Sequence, residues 1–279
     1  MKKEVLIMKK FFALVLTLAM TLSLAACGGN DAPAEENTDG ETNTENQEPA
    51  GDAGFTTVEE GKLVLSTNAE FAPYEMLDDS GNPIGIDMEV GAASAEKLGL
   101  ELQIEDMGFD AALLAVQNGQ SDIAMAGITV DPERQEVMDF TDSYATGVQV
   151  VIVKEGSDVT LDNLGEKTIG TQMGTTGFIY CTDDYGEDHV IGYETGAVAI
   201  QALVNGQIDA VVIDNLPAQS YVEANEGLTI LDTEYAVEDY AIAVAKGNTA
   251  LLEAVNAAMA ELKADGTFQA IVDKYIKAE

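Results

Sequence analysis

The sequence predicts an α/β protein of two facing lobes built to one design, and an internal repeat carries that prediction. Residues 112–127 read ALLAVQNGQSDIAMAG and residues 199–214 read AIQALVNGQIDAVVID, so Asn118-Gly119-Gln120 and Asn205-Gly206-Gln207 mark the same place in two similar units. In each unit a helix-like apolar pattern stops at Asn-Gly, a helix C-terminal signal, and a short apolar strand follows an aspartate. A looser echo pairs Lys62–Asn68 with Lys167–Gln172, each a strand ending in a polar amide. Counting from Asp122 and Asp209, the fifth residues onward are Gly127 and Asp214, expected at the carboxyl ends of their strands. Open α/β sheets bind ligands at such ends.

The remaining elements follow the same alternation. Ile86 to Leu98 reads as a helix closed by Gly99, and Leu251, Val255, Ala258 and Leu262 keep one helical face. Before them, Lys2, Lys3, Lys9 and Lys10 precede an apolar run from Phe11 to Leu24 and the small residues Ala25-Ala26. That order is expected of a secretory signal over residues 1–26. The Leu24-Ala25-Ala26-Cys27 stretch resembles the bacterial lipoprotein box. The resemblance implies that Cys27 is acylated, begins the mature chain and holds it on the extracytoplasmic face of the cell membrane. Residues 28–54 carry no Lys, Arg or large aliphatic side chain, so residues 27–54 are expected to form an acidic, disordered tether. The 225 residues from Phe55 onward suffice for two lobes.

The formal charge of −37 becomes −40 once residues 1–26 leave, because four lysines and Glu4 go with them. Nucleic acid, which needs clustered basic residues, is excluded as a partner. Beyond Cys27, Cys181 stands alone and His189 is the single histidine. A disulfide framework, a metal cluster and Ser-His or Cys-His nucleophile pairs are therefore not expected, and no cofactor is. Acid/base chemistry by carboxylates stays open.

STNAEFAPYE (Ser66–Glu75), GIDMEVGAASAEKLG (Gly85–Gly99), FDAALLAVQNGQSDIAMAGITVDPER (Phe109–Arg134), DFTDSY (Asp139–Tyr144), IGTQMGTTG (Ile169–Gly177), AVVID (Ala210–Asp214) and LKADGTFQAIVDKY (Leu262–Tyr275) follow one another in order. Together they resemble the polar amino-acid family of ABC-transporter substrate-binding proteins, the type II periplasmic binding proteins. The resemblance implies a two-lobed clamp with two hinge crossovers, near Ala145–Val150 and Asp239–Gly247. Lobe 1 would comprise residues 55–146 plus 245–279, and lobe 2 residues 147–244. It implies a free amino acid as ligand and ABC permease subunits as partners.

A free amino acid carries a carboxylate and an ammonium, and burying either without an opposite charge is costly. Asp131 suits an N-cap and Pro132 the first helical position, which places Arg134 in a helix's first turn. Its planar fork suits a carboxylate, and by resemblance Arg134, Thr129, Gly127 and Thr176 form that side of the site. Asp214 would receive the ammonium from the opposite lobe; as plain sequence it equally caps a turn before Pro217. Phe71 and Phe109 match the positions that wall the ligand's side chain. Asn68 stands where members that bind cationic side chains carry an acid, and the facing lobe offers Gln172, with Ile213 at the position before Asp214, so a neutral or polar amino acid is favoured. The alternative is a dehydratase-like enzyme on the same fold, acting on a small carboxylic acid with Glu70, Glu75 or Asp214 as acid.

Overall fold

The computed structural model describes residues 54–276. The expected signal segment 1–26, Cys27 and the tether as far as residue 53 lie outside the described residues. The chain lays down β1 (Lys62–Thr67), the short strands β2 (Glu70–Phe71), β3 (Glu75–Leu77) and β4 (Pro83–Ile84), then α1 (Ile86–Leu98) and β5 (Glu101–Asp106). Next come α2 (Phe109–Gln117), β6 (Ile123–Ala124), α3 (Pro132–Val137) and β7 (Met138–Phe140). It crosses on β8 (Ala145–Lys154) to β9 (Ile169–Gln172), α4 (Thr176–Tyr185), β10 (Val190–Tyr193), α5 (Gly196–Val204), β11 (Ala210–Asp214), α6 (Asn215–Ala224) and β12 (Leu228–Ile230). It returns on β13 (Ala236–Tyr240) to β14 (Ala243–Ala245), α7 (Thr249–Ala264) and α8 (Thr267–Tyr275).

Two sheets share one plan. The first runs β5-β1-β6-β14-β7 and the second β10-β9-β11-β8-β12, each with three parallel strands followed by an antiparallel one. The repeated aspartates explain why the repeat exists. Asp122 donates its N–H to the Val64 carbonyl (2.8 Å) and accepts from the Val64 N–H through Oδ2 (2.7 Å). Asp209 does the same with Thr168, at 2.9 and 2.8 Å. One residue thus clasps the third strand of each lobe to the first and sets their register.

Along β8, Val150 and Ile152 join one apolar cluster while Val151 and Val153 join another, and in β11 Val211 and Ile213 alternate in the same way with Ala210 and Val212. Strands that are apolar at every position are covered on both faces. The first sheet is likewise covered, by a cluster around Leu63, Leu65, Ile123 and Val255 and by another around Phe109, Val116 and Met138.

The two crossovers form a single antiparallel ribbon, with Ala145 opposite Tyr240 and Gln149 opposite Ala236. The return differs: Ala243–Ala245 already pairs with β6 and β7, ahead of the boundary at residue 245. The reason is that β14 must fill the antiparallel place between those strands, which draws the chain back directly after Tyr240.

Ile152→Ala should lower unfolding free energy by about 2 to 5 kcal/mol, because a fully buried side chain leaves a cavity. Leu114→Ala, on the exposed face of α2, should stay within about 0.5 kcal/mol. Denaturant midpoints at constant slope measure both.

Candidate ligand-binding site

The strand ends of both sheets meet at one small cavity, partly open to solvent. All nine residues expected there line it: Asn68, Phe71, Phe109, Gly127, Thr129 and Arg134 from the first lobe, and Gln172, Thr176 and Asp214 from the second. Glu75, Ala126 and Thr175 line it too. Of these, Glu75 figures in the sequence only as an acid for the enzymatic alternative.

Arg134 is placed by its helix start. The Asp131 carboxylate caps α3 by accepting from the N–H groups of Glu133 (2.9 Å) and Arg134 (3.1 Å), and Pro132 opens the first turn. The guanidinium is 8 % exposed as a residue. It donates from Nη1 to the Thr129 carbonyl and from Nη2 across the cleft to the Gly174 carbonyl, both at 3.0 Å. Its Nε lies 3.1 Å from Asp131 Oδ2, and the group sits over the Phe109 ring at 5.4 Å. Burial lowers its pKa, opposed first by the Asp131 charge. One N–H on each Nη is left without a partner among the described residues, a fork fit for a carboxylate.

Asp214 closes β11 on the other wall. It directly precedes α6 but makes no capping hydrogen bond to it. Instead its carboxylate accepts from Gln149 Nε2 at 2.8 Å and from the Tyr240 hydroxyl. The turn-cap alternative therefore fails on geometry. Burial pushes Asp214 up to about 7, and the Tyr240 and Gln149 donors oppose the shift while Glu238 adds to it. Among the described residues no lysine or arginine forms an ion pair with it.

The walls are aromatic. Phe71 stacks on Tyr74 with ring centroids 5.9 Å apart. Gly127 has φ +53, and a Cβ there would drive into the Phe71 ring, so glycine is required by conformation and by space. Below Phe71, Glu75 is fully buried and neither of its oxygens receives a hydrogen bond from the described residues. Burial first, and then the neighbouring Asp87 charge, push Glu75 well above the usual carboxylate range. Asp87, itself raised to about 6 by burial, accepts from the Tyr144 hydroxyl (2.8 Å) and from the Gly127 N–H (3.2 Å).

The expected amide pair behaves differently from a pair facing a ligand. Gln172 Nε2 donates to Asn68 Oδ1 across the cleft at 3.0 Å, which takes one N–H of Gln172 and one lone pair of Asn68 and leaves their other amide groups for other partners. With the Arg134 bond to Gly174 and the Thr129 and Thr176 hydroxyls 3.4 Å apart, they close the two lobes on each other.

Residues 63–278 match the family described as bacterial extracellular solute-binding proteins, family 3. Over 280 residues the chain is 31 % identical to a probable histidine-binding protein of Neisseria gonorrhoeae, covering 98 % of this chain and 97 % of that one. An ancestral arginine-binding protein bound to glutamine superposes with TM-score 0.75 at 36 % identity, over 79 % of this chain and all of the other. The arginine-, lysine-, histidine-binding protein ArtJ of Geobacillus stearothermophilus gives TM-score 0.74 at 33 % identity, over 78 % and 96 %. With its two sheets, its ribbon crossovers and its cavity at the strand ends, the chain belongs to family 3 of the bacterial extracellular solute-binding proteins.

Proposed function

We propose that this protein captures one free amino acid between its lobes and delivers it to an ABC permease, held at the membrane by a lipid on Cys27. The observation that carries the reading is the placement of Arg134 and Asp214 on opposite lobes around one cavity. An α-carboxylate on the free N–H groups of Arg134 and an α-ammonium on Asp214 give both buried charges of the ligand a partner, as burial demands. The names of the relatives, which carry histidine, arginine, lysine and glutamine, agree with this class of ligand. A dehydratase-like enzyme acting on a simple carboxylic acid fits less well, because a substrate lacking an ammonium leaves Asp214 facing it without a cation.

The side chain of the ligand meets Phe71, Phe109 and the remaining amide atoms of Asn68 and Gln172, which suits a neutral or polar amino acid. Glu75 supports a second reading. A buried carboxyl in the cavity lining, beside Asp87 and with no hydrogen bond received from the described residues, suits a side chain that brings a cation or a strong donor. A cationic side chain beside Glu75 would favour its charged form.

In a thermal-shift screen of the purified protein against the twenty amino acids and cystine, a ligand at a hundred times its Kd should stabilise by about 2.7 kcal/mol. Arg134→Ala and Asp214→Ala should each abolish that shift without unfolding the protein; retained affinity in either sinks the site. Glu75→Gln separates the two side-chain readings. It should weaken a cationic ligand about tenfold or more and leave a neutral one within about threefold, since a charge-assisted hydrogen bond contributes about 1.5 to 3 kcal/mol.

A further inference from the structure

Tyr240 ends the return strand of the hinge ribbon, and its side chain belongs to both lobes. Its fully buried ring packs in the first lobe, with its centroid 5.3 Å from that of Tyr74 and 6.5 Å from that of Phe71. Its hydroxyl reaches the second lobe and donates to Asp214 Oδ1. Room for that contact is made by Gly147, which lies opposite Glu238 in the ribbon. A Cβ at position 147 would collide with the Tyr240 hydroxyl and with the Asp214 carboxylate alike. The other Asp214 oxygen takes Gln149 Nε2, which also donates to Glu238 Oε2 at 2.8 Å.

We propose that Tyr240 is a positioning residue for ligand recognition, its hydroxyl fixing the Asp214 carboxylate against the first lobe as the acceptor of the ligand's ammonium. The inference rests on the reading that Asp214 receives that ammonium. The titratable groups that face Asp214 are Tyr240 and Glu238 of β13, with Tyr74 and Glu75 from the first lobe. Burial and the Glu238 charge favour protonated Asp214, and the Tyr240 donor is the largest influence in the other direction. An acid raised to about 7 loses its charge as pH falls through that value. Removing the hydroxyl moves that loss to higher pH. The hinge position gives the contact a second consequence: the ammonium acceptor is tied to the same aromatic group that walls the cavity at Phe71.

The test titrates the wild type and Tyr240→Phe with L-arginine, L-histidine and L-glutamine from about pH 6 to about pH 9. For each amino acid that binds the wild type, Tyr240→Phe should lose about 10- to 100-fold in affinity at pH 7, narrowing toward pH 9. Asp214→Asn should lose binding throughout the range. Affinity of Tyr240→Phe within about twofold of wild type at pH 7, or a loss that is equal at both ends of the range, overturns the proposal. Wild type that binds none of the twenty amino acids or cystine of the thermal-shift screen rejects the functional reading itself, a result distinct from an unaffected Tyr240→Phe. Gly147→Ala probes the same contact from the ribbon and keeps the proposal falsifiable should Tyr240→Phe not fold. It should weaken binding at least about tenfold, and unchanged affinity overturns the proposal.

Discussion

The burial of one guanidinium and one carboxylate on opposite walls of a single cavity is the constraint on which the rest of this molecule depends. Arg134 is 8 % exposed and Asp214 7 %, and an ionised group taken out of water without compensation costs far more than a domain's net stability. The two walls meet the cost differently. Arg134 is compensated by an anion, Asp131, and by two carbonyls, whereas Asp214 is met only by the neutral donors of Gln149 and Tyr240. The negative wall therefore carries the larger unmet demand, and a cation arriving there gains most.

Bringing those groups to one place is the work of the duplicated scaffold. Each lobe ends its first and third strands at the cavity, with Asn68 and Gly127 on one side and Gln172 and Asp214 on the other. The Asp122 and Asp209 clasps hold these strands in register. A slip of one residue would turn each strand's side chains to the opposite face and break the constellation. The hinge adds a second coupling, because the ribbon that joins the lobes carries both donors to Asp214, Gln149 going out and Tyr240 coming back.

Much of this was legible in the sequence because its signals are local. The Asn-Gly stops, the Asp131-Pro132 helix start and the matched strands each occupy a few neighbouring residues, and all nine candidate residues reach the cavity. What escaped is non-local. Gln149 is 65 residues from Asp214 and Tyr240 is 26 residues from it, and no short pattern joins them. A single clue for Gln149 exists in hindsight, a lone amide in the apolar run VQVVIV of β8. The Asn68 and Gln172 amides were read as facing a ligand, and only the closed geometry reveals that they also face each other. The return boundary escaped for the same reason, since the place of β14 is decided by its neighbours in the first sheet.

The closing contacts bear on how such a clamp discriminates. Asn68 with Gln172 is a neutral hydrogen bond, worth about 0.5 to 1.5 kcal/mol net, and the Arg134 bond to the Gly174 carbonyl is charge-assisted, at about 1.5 to 3 kcal/mol. These bonds hold the lobes together in the closed form. A ligand shifts the balance between open and closed only by its differential affinity for the closed form. On the proposed binding mode an amino acid would have such an affinity by virtue of both its charges, because each would find its partner on a different lobe. A molecule carrying the carboxylate alone would engage Arg134 in either arrangement and leave Asp214 burying its demand unanswered. On that binding mode selectivity for a whole amino acid would arise from closure itself, and the side-chain walls would be left to choose among amino acids.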